Sequence, residues 1–287
     1  MQHQYLETNG VRLHYVTQGS GPLMLFLHGF PEFWYSWRHQ IRAFAQDYTV
    51  VALDLRGYND SEKPKDMAAY AMSALVEDVA GTIRALGDGR CILVGHDWGG
   101  AIAWSVAYAH PEMLSRLIVM NLPHPAKFAE GLRTPQQLLR SWYIGLFQLP
   151  LLPELLLQAG DYAAIRAAFR AQAVNPNAFT DADLDAYAAA AAKPGALTAM
   201  LNYYRNLLPS GGLLNRTWDK LDIPTLLIWG ENDAALGKEL TDGTEQYVSN
   251  LTLRYIPNCS HWVQQEQPEL VNQYMREFLG RPGIGDR

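Results

Sequence analysis

The sequence is poor in cysteine, with 2 among 287 residues, and poor in charge, with 18% Asp, Glu, Lys and Arg. Two cysteines exclude a disulfide scaffold and a zinc site built from cysteine ligands. The low charge content, together with 48% hydrophobic residues, excludes an intrinsically disordered chain. Acidic residues outnumber basic ones by 29 to 23, which gives a net charge of −6 and argues against a nucleic-acid-binding protein.

Long apolar runs are also missing. The longest uncharged apolar stretch, residues 141–153, holds two prolines and is too short to span a membrane as a helix. Residues 1–8 include Glu7 and have no apolar centre, so they do not resemble a signal peptide. We therefore expect a cytoplasmic protein with no membrane-spanning segment.

Strand-like and helical segments alternate along most of the chain. A hairpin is predicted first, because two strand-like segments flank Asn9-Gly10, a pair typical of a type I′ turn. Continuous runs of β-branched residues and leucine follow, and such runs suit strands that are buried on both faces, as in parallel sheets. The runs are 23–27, 49–55, 91–94, 116–120, 225–229 and 251–256. Helical stretches between them predict an α/β fold, a mostly parallel central sheet with helices on both faces.

The alternation stops in the middle of the chain. Residues 123–217 contain no convincing strand, and Pro135 and Pro194 suit the first turns of helices there. We therefore predict a core formed by residues 1–122 and 218–287, with an all-helical cap, or lid, inserted between two strands of the sheet. The alternative is a further helical layer of the same domain.

The strongest functional signal lies at residues 94–100, Val-Gly-His-Asp-Trp-Gly-Gly. This stretch follows a buried strand and precedes a helix of small residues, which is the strand–turn–helix context of a nucleophile elbow, G-x-S-x-G. Gly95 and Gly99 occupy the glycine positions, where the turn is tight and the helix packs close to the strand. Asp97 stands where the serine would be.

An aspartate at this position changes the chemistry of the elbow. A carboxylate that attacks an sp³ carbon forms an ester, which water can cleave, whereas a serine would form a stable ether. Asp97 is also ionised at neutral pH and needs no base for its own activation. The sequence therefore predicts a nucleophile for an epoxide carbon or for a carbon that bears a halide. A simple helix N-cap is the alternative role for Asp97.

A second loop, residues 28–32, follows the first buried strand after the hairpin. Where an elbow is present, the N–H group after the nucleophile and one N–H group from this earlier loop form the oxyanion hole. Here these would be the N–H groups of Trp98 and Phe30, and the bond before Pro31 is a candidate cis peptide. The residues expected to contact the substrate are His28, Pro31 and Trp34, with packing against the core as the alternative for the last.

Two polar turns later in the chain supply partners for Asp97. Asp233 and Glu231 follow one buried strand, and His261 follows the next. The order nucleophile, acid, histidine is that of α/β hydrolases. Asp233 would orient His261, which would deprotonate the water that attacks the ester. Glu231 is the alternative acid.

Together these motifs resemble the epoxide hydrolases of the α/β-hydrolase superfamily, over nearly the full chain. The motifs are HGFPEFW at 28–34, DLRGY at 54–58, GHDWGG at 95–100, GEND at 230–233 and SHW at 260–262. They are most similar to the branch that contains the animal epoxide hydrolase 3 and 4 proteins. Those proteins carry an N-terminal membrane anchor, whereas this sequence begins at the core, so the resemblance does not extend to location.

The resemblance also implies a role for two tyrosines of the cap. In the family, two such phenols hold the epoxide oxygen and protonate the leaving alkoxide. By motif they are Tyr143 and Tyr204, with Tyr203 as the neighbouring alternative. The implied reaction adds water to a small hydrophobic epoxide and gives a vicinal diol through an ester of Asp97. No metal or organic cofactor is implied, and the protein would be a monomer or a homodimer.

Two other functions stay open from the sequence. A haloalkane or haloacid dehalogenase would share the aspartate and histidine, and Trp98 could donate to the halide, with Trp142 as a second donor. Phe30 lacks a side-chain donor, and the haloacid enzymes favour arginine after the nucleophile. A non-catalytic binding protein on the same fold is the other alternative, but such proteins usually lose a member of the triad. The apolar stretch 144–157 could line a channel, contact a second copy or touch a membrane.

Overall fold

The computed structural model describes residues 1–207 and 217–280, and in them eight strands form one sheet. The strands are β1 (Gln2–Thr8), β2 (Val11–Gln18), β3 (Leu23–Leu27), β4 (Thr49–Leu53), β5 (Cys91–His96), β6 (Leu114–Met120), β7 (Thr225–Gly230) and β8 (Leu251–Ile256). Their order in the sheet is β1-β2-β4-β3-β5-β6-β7-β8. β2 pairs antiparallel with β1 and β4, and the other neighbours pair in parallel. The predicted α/β fold with a mostly parallel sheet is confirmed.

Helices connect the strands and cover both faces of the sheet. They are α1 (Arg38–Phe44), α2 (Met72–Leu86), α3 (Trp98–Ala109), α4 (Pro125–Gly131), α5 (Pro135–Arg140), α6 (Trp142–Phe147), α7 (Leu152–Gln172), α8 (Asp181–Ala191), α9 (Ala196–Arg205), α10 (Val263–Glu266) and α11 (Pro268–Leu279). The backbone of α7 is not helical at 159–162. No helix of the described residues is both long enough and apolar enough to cross a membrane.

The central strands are apolar throughout because both of their faces are buried. Successive side chains of a strand point to opposite faces, so neighbours such as Leu93 and Val94 enter different cores. The core that contains Leu93 includes residues of α2 and α3, and the core that contains Val94 includes residues of α1 and α11. Each fully buried aliphatic side chain contributes about 1.5–3 kcal/mol. This double cover fixes the carboxyl ends of the parallel strands, where the candidate site lies.

Two local predictions about the elements were wrong. The run at 251–256 forms the edge strand β8, where only Ile256 is buried, because no strand pairs with its outer side. Pro194 lies before α9 and not in its first turn. Gly195 is the N-cap of that helix with φ of 80°, a conformation that favours glycine.

The helices α4 to α9 all fall between β6 and β7 in the sequence. The predicted start of the cap at residue 123 lies between β6 and α4. Its predicted end adjoins residues 208–216, which lie outside the described residues. The division into a core and a cap therefore stays a prediction, and below we refer to residues 125–205 as the inserted helices.

Candidate active site

Asp97 occupies the turn between β5 and α3, with φ of 50° and ψ of −121°. Non-glycine residues rarely adopt this region, so the turn stores strain of the kind that clusters at functional sites. The flanking glycines are required sterically. A Cβ on Gly95 would lie 2.3 Å from the Gly99 carbonyl oxygen, and one on Gly99 would lie 2.1 Å from that of Leu27. The structure thus has the strand–turn–helix geometry predicted from the sequence.

The loop after β3 closes against this turn. A Cβ on Gly29 would lie 2.4 Å from the Asp97 Cβ, so the two backbones can approach only at a glycine. The Phe30 N–H donates to Asp97 Oδ1 at 2.8 Å, and the Phe30–Pro31 peptide bond is cis. Trp98 is the first residue of α3, where an N–H group has no acceptor within its own helix. That N–H group is available as the second oxyanion donor.

His261 lies between two carboxylates. Its Nε2 is 3.6 Å from Asp97 Oδ2, and its Nδ1 is 2.7 Å from Asp233 Oδ2. Glu231, the alternative acid, pairs instead with Lys238. The structure therefore brings together the three residues predicted as a triad, with Asp233 as the partner of the histidine.

Asp233 is itself held by donors on both oxygens. The N–H groups of Ala235 and Leu236 donate to Oδ1 at 2.8 and 3.0 Å, and Asn121 Nδ2 donates to Oδ2 at 2.7 Å. Asn121 Oδ1 accepts from the Gly230 N–H, which ties the end of β6 to the end of β7. Sequence reasoning missed Asn121 as a site residue, although it follows a buried strand just as Asp97 and Asp233 do.

The charges of the site depend on one another. Burial opposes ionisation of Asp97, but the imidazole of His261, 3.6 Å away, outweighs it and holds the Asp97 pKa below its usual value. The pKa of Asp233 is lowered in the same way, against burial, by His261 and by the hydrogen bond from Asn121. Burial alone would lower the pKa of His261, yet the carboxylates of Asp233 and Asp97 raise it well above its usual value.

Tyr143 and Tyr204 face Asp97 from the inserted helices α6 and α9. Their rings meet edge to face with centroids 5.9 Å apart. Burial, reinforced by the Asp97 carboxylate, raises the pKa of both phenols, so both stay protonated in the free protein. Tyr203 points elsewhere, since its buried hydroxyl donates to the Arg56 carbonyl oxygen at 2.7 Å. Of the two adjacent tyrosines, Tyr204 is therefore the one at the site.

Two cavities meet at Asp97, Tyr143 and Tyr204. The smaller has a volume of about 80 Å³ and the larger about 320 Å³. The other residues around the smaller cavity are mostly apolar, among them Met72, Leu122, Phe128, Ile144 and Leu236. The larger cavity also reaches Phe147, Leu157, Ile165, His261 and Trp262. The arrangement offers apolar space on two sides of a carboxylate.

The predicted substrate contacts are only partly at these cavities. Pro31 lines the larger one. His28 lines neither, because its ring is buried behind the loop, with Nδ1 at the Gly29 carbonyl oxygen and Nε2 accepting from the Leu55 N–H. Trp34 also lines neither, since its ring packs edge to face on His3 with centroids 5.3 Å apart. The structure thus places two of the three residues away from the space that a substrate would occupy.

Among the described residues, His14, Asp54 and Asp60 form a group that could place ligand atoms around a metal ion. His14 Nδ1 instead lies 2.6 Å from Asp54 Oδ2, and Asp60 pairs with Lys193. These groups thus satisfy one another, and we assign them no metal role. Cys259 is buried, and burial raises the pKa of its thiol, so it is not an activated nucleophile.

A family model for the alpha/beta hydrolase fold matches residues 22–268. Epoxide hydrolase 4 of Mus musculus is 44% identical over 282 residues, which cover 96% of this chain and 78% of the mouse protein. Epoxide hydrolase 3 of Xenopus tropicalis is 45% identical over 97% of this chain and 78% of that protein. The chain belongs to the epoxide hydrolases of the α/β-hydrolase family.

A solved structure supports this membership of the epoxide hydrolase family. The crystal structure of the Bacillus megaterium epoxide hydrolase in complex with an inhibitor superposes with a TM-score of 0.91 at 40% sequence identity. The match covers 97% of this chain and 100% of the bacterial one. The fold that this chain shares with the bacterial enzyme therefore includes the inserted helices as well as the sheet.

Proposed function

We propose that this protein adds water to an epoxide and releases a vicinal diol, through a covalent ester on Asp97. The observation that carries the proposal is a carboxylate in the nucleophile turn that faces two buried phenols, Tyr143 and Tyr204, across one apolar space. Membership of the epoxide hydrolase family supports it independently.

In the first step, Asp97 opens the epoxide ring. Its Oδ1 is held by the Phe30 N–H, so Oδ2, which lies 3.6 Å from His261 Nε2, is the oxygen left to attack a ring carbon. The new C–O bond of the ester forms as the ring C–O bond breaks, and the electron pair moves to the epoxide oxygen. Tyr143 and Tyr204 hold that oxygen by hydrogen bonds, and one of them gives it a proton as the alkoxide forms. Phenols with raised pKa values keep their protons until that moment.

In the second step, water cleaves the ester. His261 takes a proton from water, and the resulting hydroxide attacks the Asp97 carboxyl carbon. The negative oxygen of the tetrahedral intermediate is Oδ1, beside the N–H groups of Phe30 and Trp98. As this intermediate collapses, the ester C–O bond breaks, and the leaving oxygen takes the proton of the intermediate's hydroxyl group. The diol is released, the Asp97 carboxylate is restored, and the proton on His261 passes to the tyrosinate.

The first step prepares the base for the second. Both Asp97 and Asp233 raise the pKa of His261 in the free protein. Once Asp97 is an ester it carries no charge, so one of the two carboxylates that favour the imidazolium is lost. His261 then becomes neutral more readily, and a neutral imidazole is the form that can accept a proton from water.

The test is turnover of styrene oxide together with a 1-chloroalkane of similar size, scored for diol and for halide. We expect diol from the epoxide and no halide, and we expect Asp97→Ala to abolish diol formation. A single turnover in H₂¹⁸O should place the label in Asp97 and not in the first diol released, because water attacks the carboxyl carbon. Unchanged turnover by Asp97→Ala, or label in the first diol, would overturn the ester mechanism.

The same test separates epoxide hydrolysis from dehalogenation. A halide site would need two side-chain donors. Trp98 lines the smaller cavity, where its ring packs edge to face on that of Tyr204. Trp142 lines the larger cavity, but it is 67% exposed, so water would compete with a halide there. The two predicted donors thus line different cavities, which does not favour dehalogenation as a second activity.

A further inference from the structure

The proposed mechanism leaves two fully buried ionisable side chains beside the site without a role. Glu32 and His96 are both 0% exposed, and Glu32 Oε2 lies 2.8 Å from His96 Nδ1. On its other side, His96 Nε2 lies 2.9 Å from the backbone carbonyl oxygen of His261. The imidazole of His96 therefore bridges a carboxylate and the loop that carries the predicted base.

Glu32 is surrounded by hydrogen-bond donors. The Gly29 N–H donates to Oε2 at 2.8 Å, and the amides of Gln264 and Gln265 donate to Oε1 at 2.9 and 2.8 Å. The orientation of the Gln265 amide is fixed, because its own oxygen accepts from Arg38 at 2.6 Å. The Glu32 carboxyl group therefore accepts from three N–H donors besides its contact with His96.

The protons of His96 follow from its acceptors. A carbonyl oxygen can only accept, so Nε2 carries a proton toward His261. On the other side of the ring, Nδ1 faces Glu32 Oε2 at 2.8 Å. Glu32 and His96 thus form one buried hydrogen-bonded pair that reaches the His261 carbonyl oxygen.

The hydrogen-bonded pair of Glu32 and His96 connects three segments of the site. Glu32 lies two residues after Phe30, whose N–H contacts Asp97, and it also binds the N–H of Gly29. His96 is the last residue of β5 and directly precedes Asp97. Its second hydrogen bond reaches the loop of His261. The oxyanion donor, the nucleophile and the base are thereby held by one hydrogen-bonded unit.

We infer that Glu32 and His96 are positioning residues that hold the Phe30 N–H and His261 in place against the Asp97 ester. The inference rests on the proposed function. Formation of the ester needs the carboxylate and the two phenols, whereas its hydrolysis needs the base and the oxyanion donors together. Loss of the contact between Glu32 and His96 should therefore slow hydrolysis of the ester far more than its formation.

The test uses the full-length Glu32→Gln variant with styrene oxide, rapid quenching and intact-protein mass spectrometry. A glutamine has one acceptor oxygen, so its N–H₂ group must face a donor that Glu32 now satisfies. We expect formation of the ester within about threefold of the unaltered protein and hydrolysis slowed roughly 100-fold, the size of effect expected from a small misplacement of reacting groups. The ester should then accumulate during turnover. Equal slowing of both steps, or of neither, overturns the inference.

Two further variants separate positioning from simple destabilisation. Asp78→Asn breaks a buried ion pair with Arg56, whose Nε lies 2.7 Å from Asp78 Oδ2, and should lower stability to urea without accumulation of ester. Glu32→Asp keeps the charge and should restore part of the rate of hydrolysis. If Glu32→Gln does not fold, Glu32→Asp alone decides, since selective slowing of hydrolysis supports the inference and equal slowing overturns it.

A failure of the underlying mechanism gives a different result. His261→Gln should trap the ester whatever Glu32 does. If no ester appears in His261→Gln, the covalent mechanism is wrong. If ester appears there but does not accumulate in the Glu32 variants, only the positioning role is wrong.

Discussion

The half of the site that the sheet provides is built differently from the half that the inserted helices provide. In the sheet half, Asp97, Asp233 and His261 follow strand ends and are fixed by hydrogen bonds, several of them from backbone N–H groups. In the helical half, Tyr143 and Tyr204 are placed by ring packing. The Tyr204 ring, for example, lies 5.0 Å from the rings of Trp98 and Phe147 and 5.3 Å from that of Phe30.

In the proposed mechanism, the two halves act in different steps. Directional hydrogen bonds hold the nucleophile, the base and the oxyanion donor, which must stay aligned through a tetrahedral intermediate. Packed rings tolerate small shifts, which suits two phenols that hold an oxygen whose position depends on the substrate. Apart from Asp97, which both steps need, variants in the sheet half should therefore impair ester hydrolysis, and variants in the helical half should impair ester formation.

The largest difference between the rates of ester formation and ester hydrolysis is expected from His261→Gln. Glutamine cannot take a proton from water, whereas the Asp97 carboxylate keeps its attack on the epoxide. Diol turnover should fall by roughly 10⁴-fold, the upper range for loss of a general base, while a covalent adduct builds up to one per protein. Steady-state diol analysis and intact-protein mass spectrometry measure both quantities. Turnover within tenfold of the unaltered protein would refute the role of His261.

The two phenols should give the opposite pattern. Tyr143→Phe and Tyr204→Phe should each slow turnover about tenfold, because one remaining phenol can still protonate the alkoxide, and the double variant should lose roughly 10³-fold. No adduct should accumulate, since the slowed step is formation of the ester. Tyr203→Phe is the matched control and should leave turnover within about twofold. An adduct in the double variant would contradict the assignment of the two halves.

The sequence alone was enough to predict the sheet half. Asp97, Asp233 and His261 each follow a parallel strand, and the carboxyl ends of parallel strands meet at one edge of a sheet. The same rule would have found Asn121, which follows β6 and holds Asp233.

The helical half could not be predicted from the residues themselves. The chain has 15 tyrosines, and only the family resemblance selected Tyr143 and Tyr204. Their meeting depends on how the inserted helices pack, which no local pattern specifies. The direction in which a loop side chain points could not be predicted either. His28 and Trp34 lie near Phe30 in the sequence, yet they line neither cavity.

The pH dependence of ester formation and of ester hydrolysis tests the same comparison, with a smaller expected effect. Ester formation needs ionised Asp97, whose pKa is lowered, so this step should persist as the pH falls until that low pKa is passed. Ester hydrolysis needs neutral His261, whose pKa is raised, chiefly by Asp233, so this step should slow about tenfold per pH unit below that pKa. Acidification of the unaltered protein should thus accumulate the ester in quench experiments. A parallel decline of both steps would contradict this order of the pKa values.

The smallest effect tests whether the inserted helices act as one unit with the site. The Thr180 hydroxyl caps α8 by accepting from the Asp183 N–H at 3.2 Å, and Asp183 in turn accepts from the Thr180 N–H at 2.9 Å. Thr180→Ala should lower the free energy of unfolding by about 1 kcal/mol in urea titrations, and Thr180→Ser should not. Turnover should stay unchanged, because no residue of α8 lines either cavity. If turnover fell in Thr180→Ala but not in Thr180→Ser, the placement of the two tyrosines would depend on the whole layer of inserted helices and not on the rings that touch them.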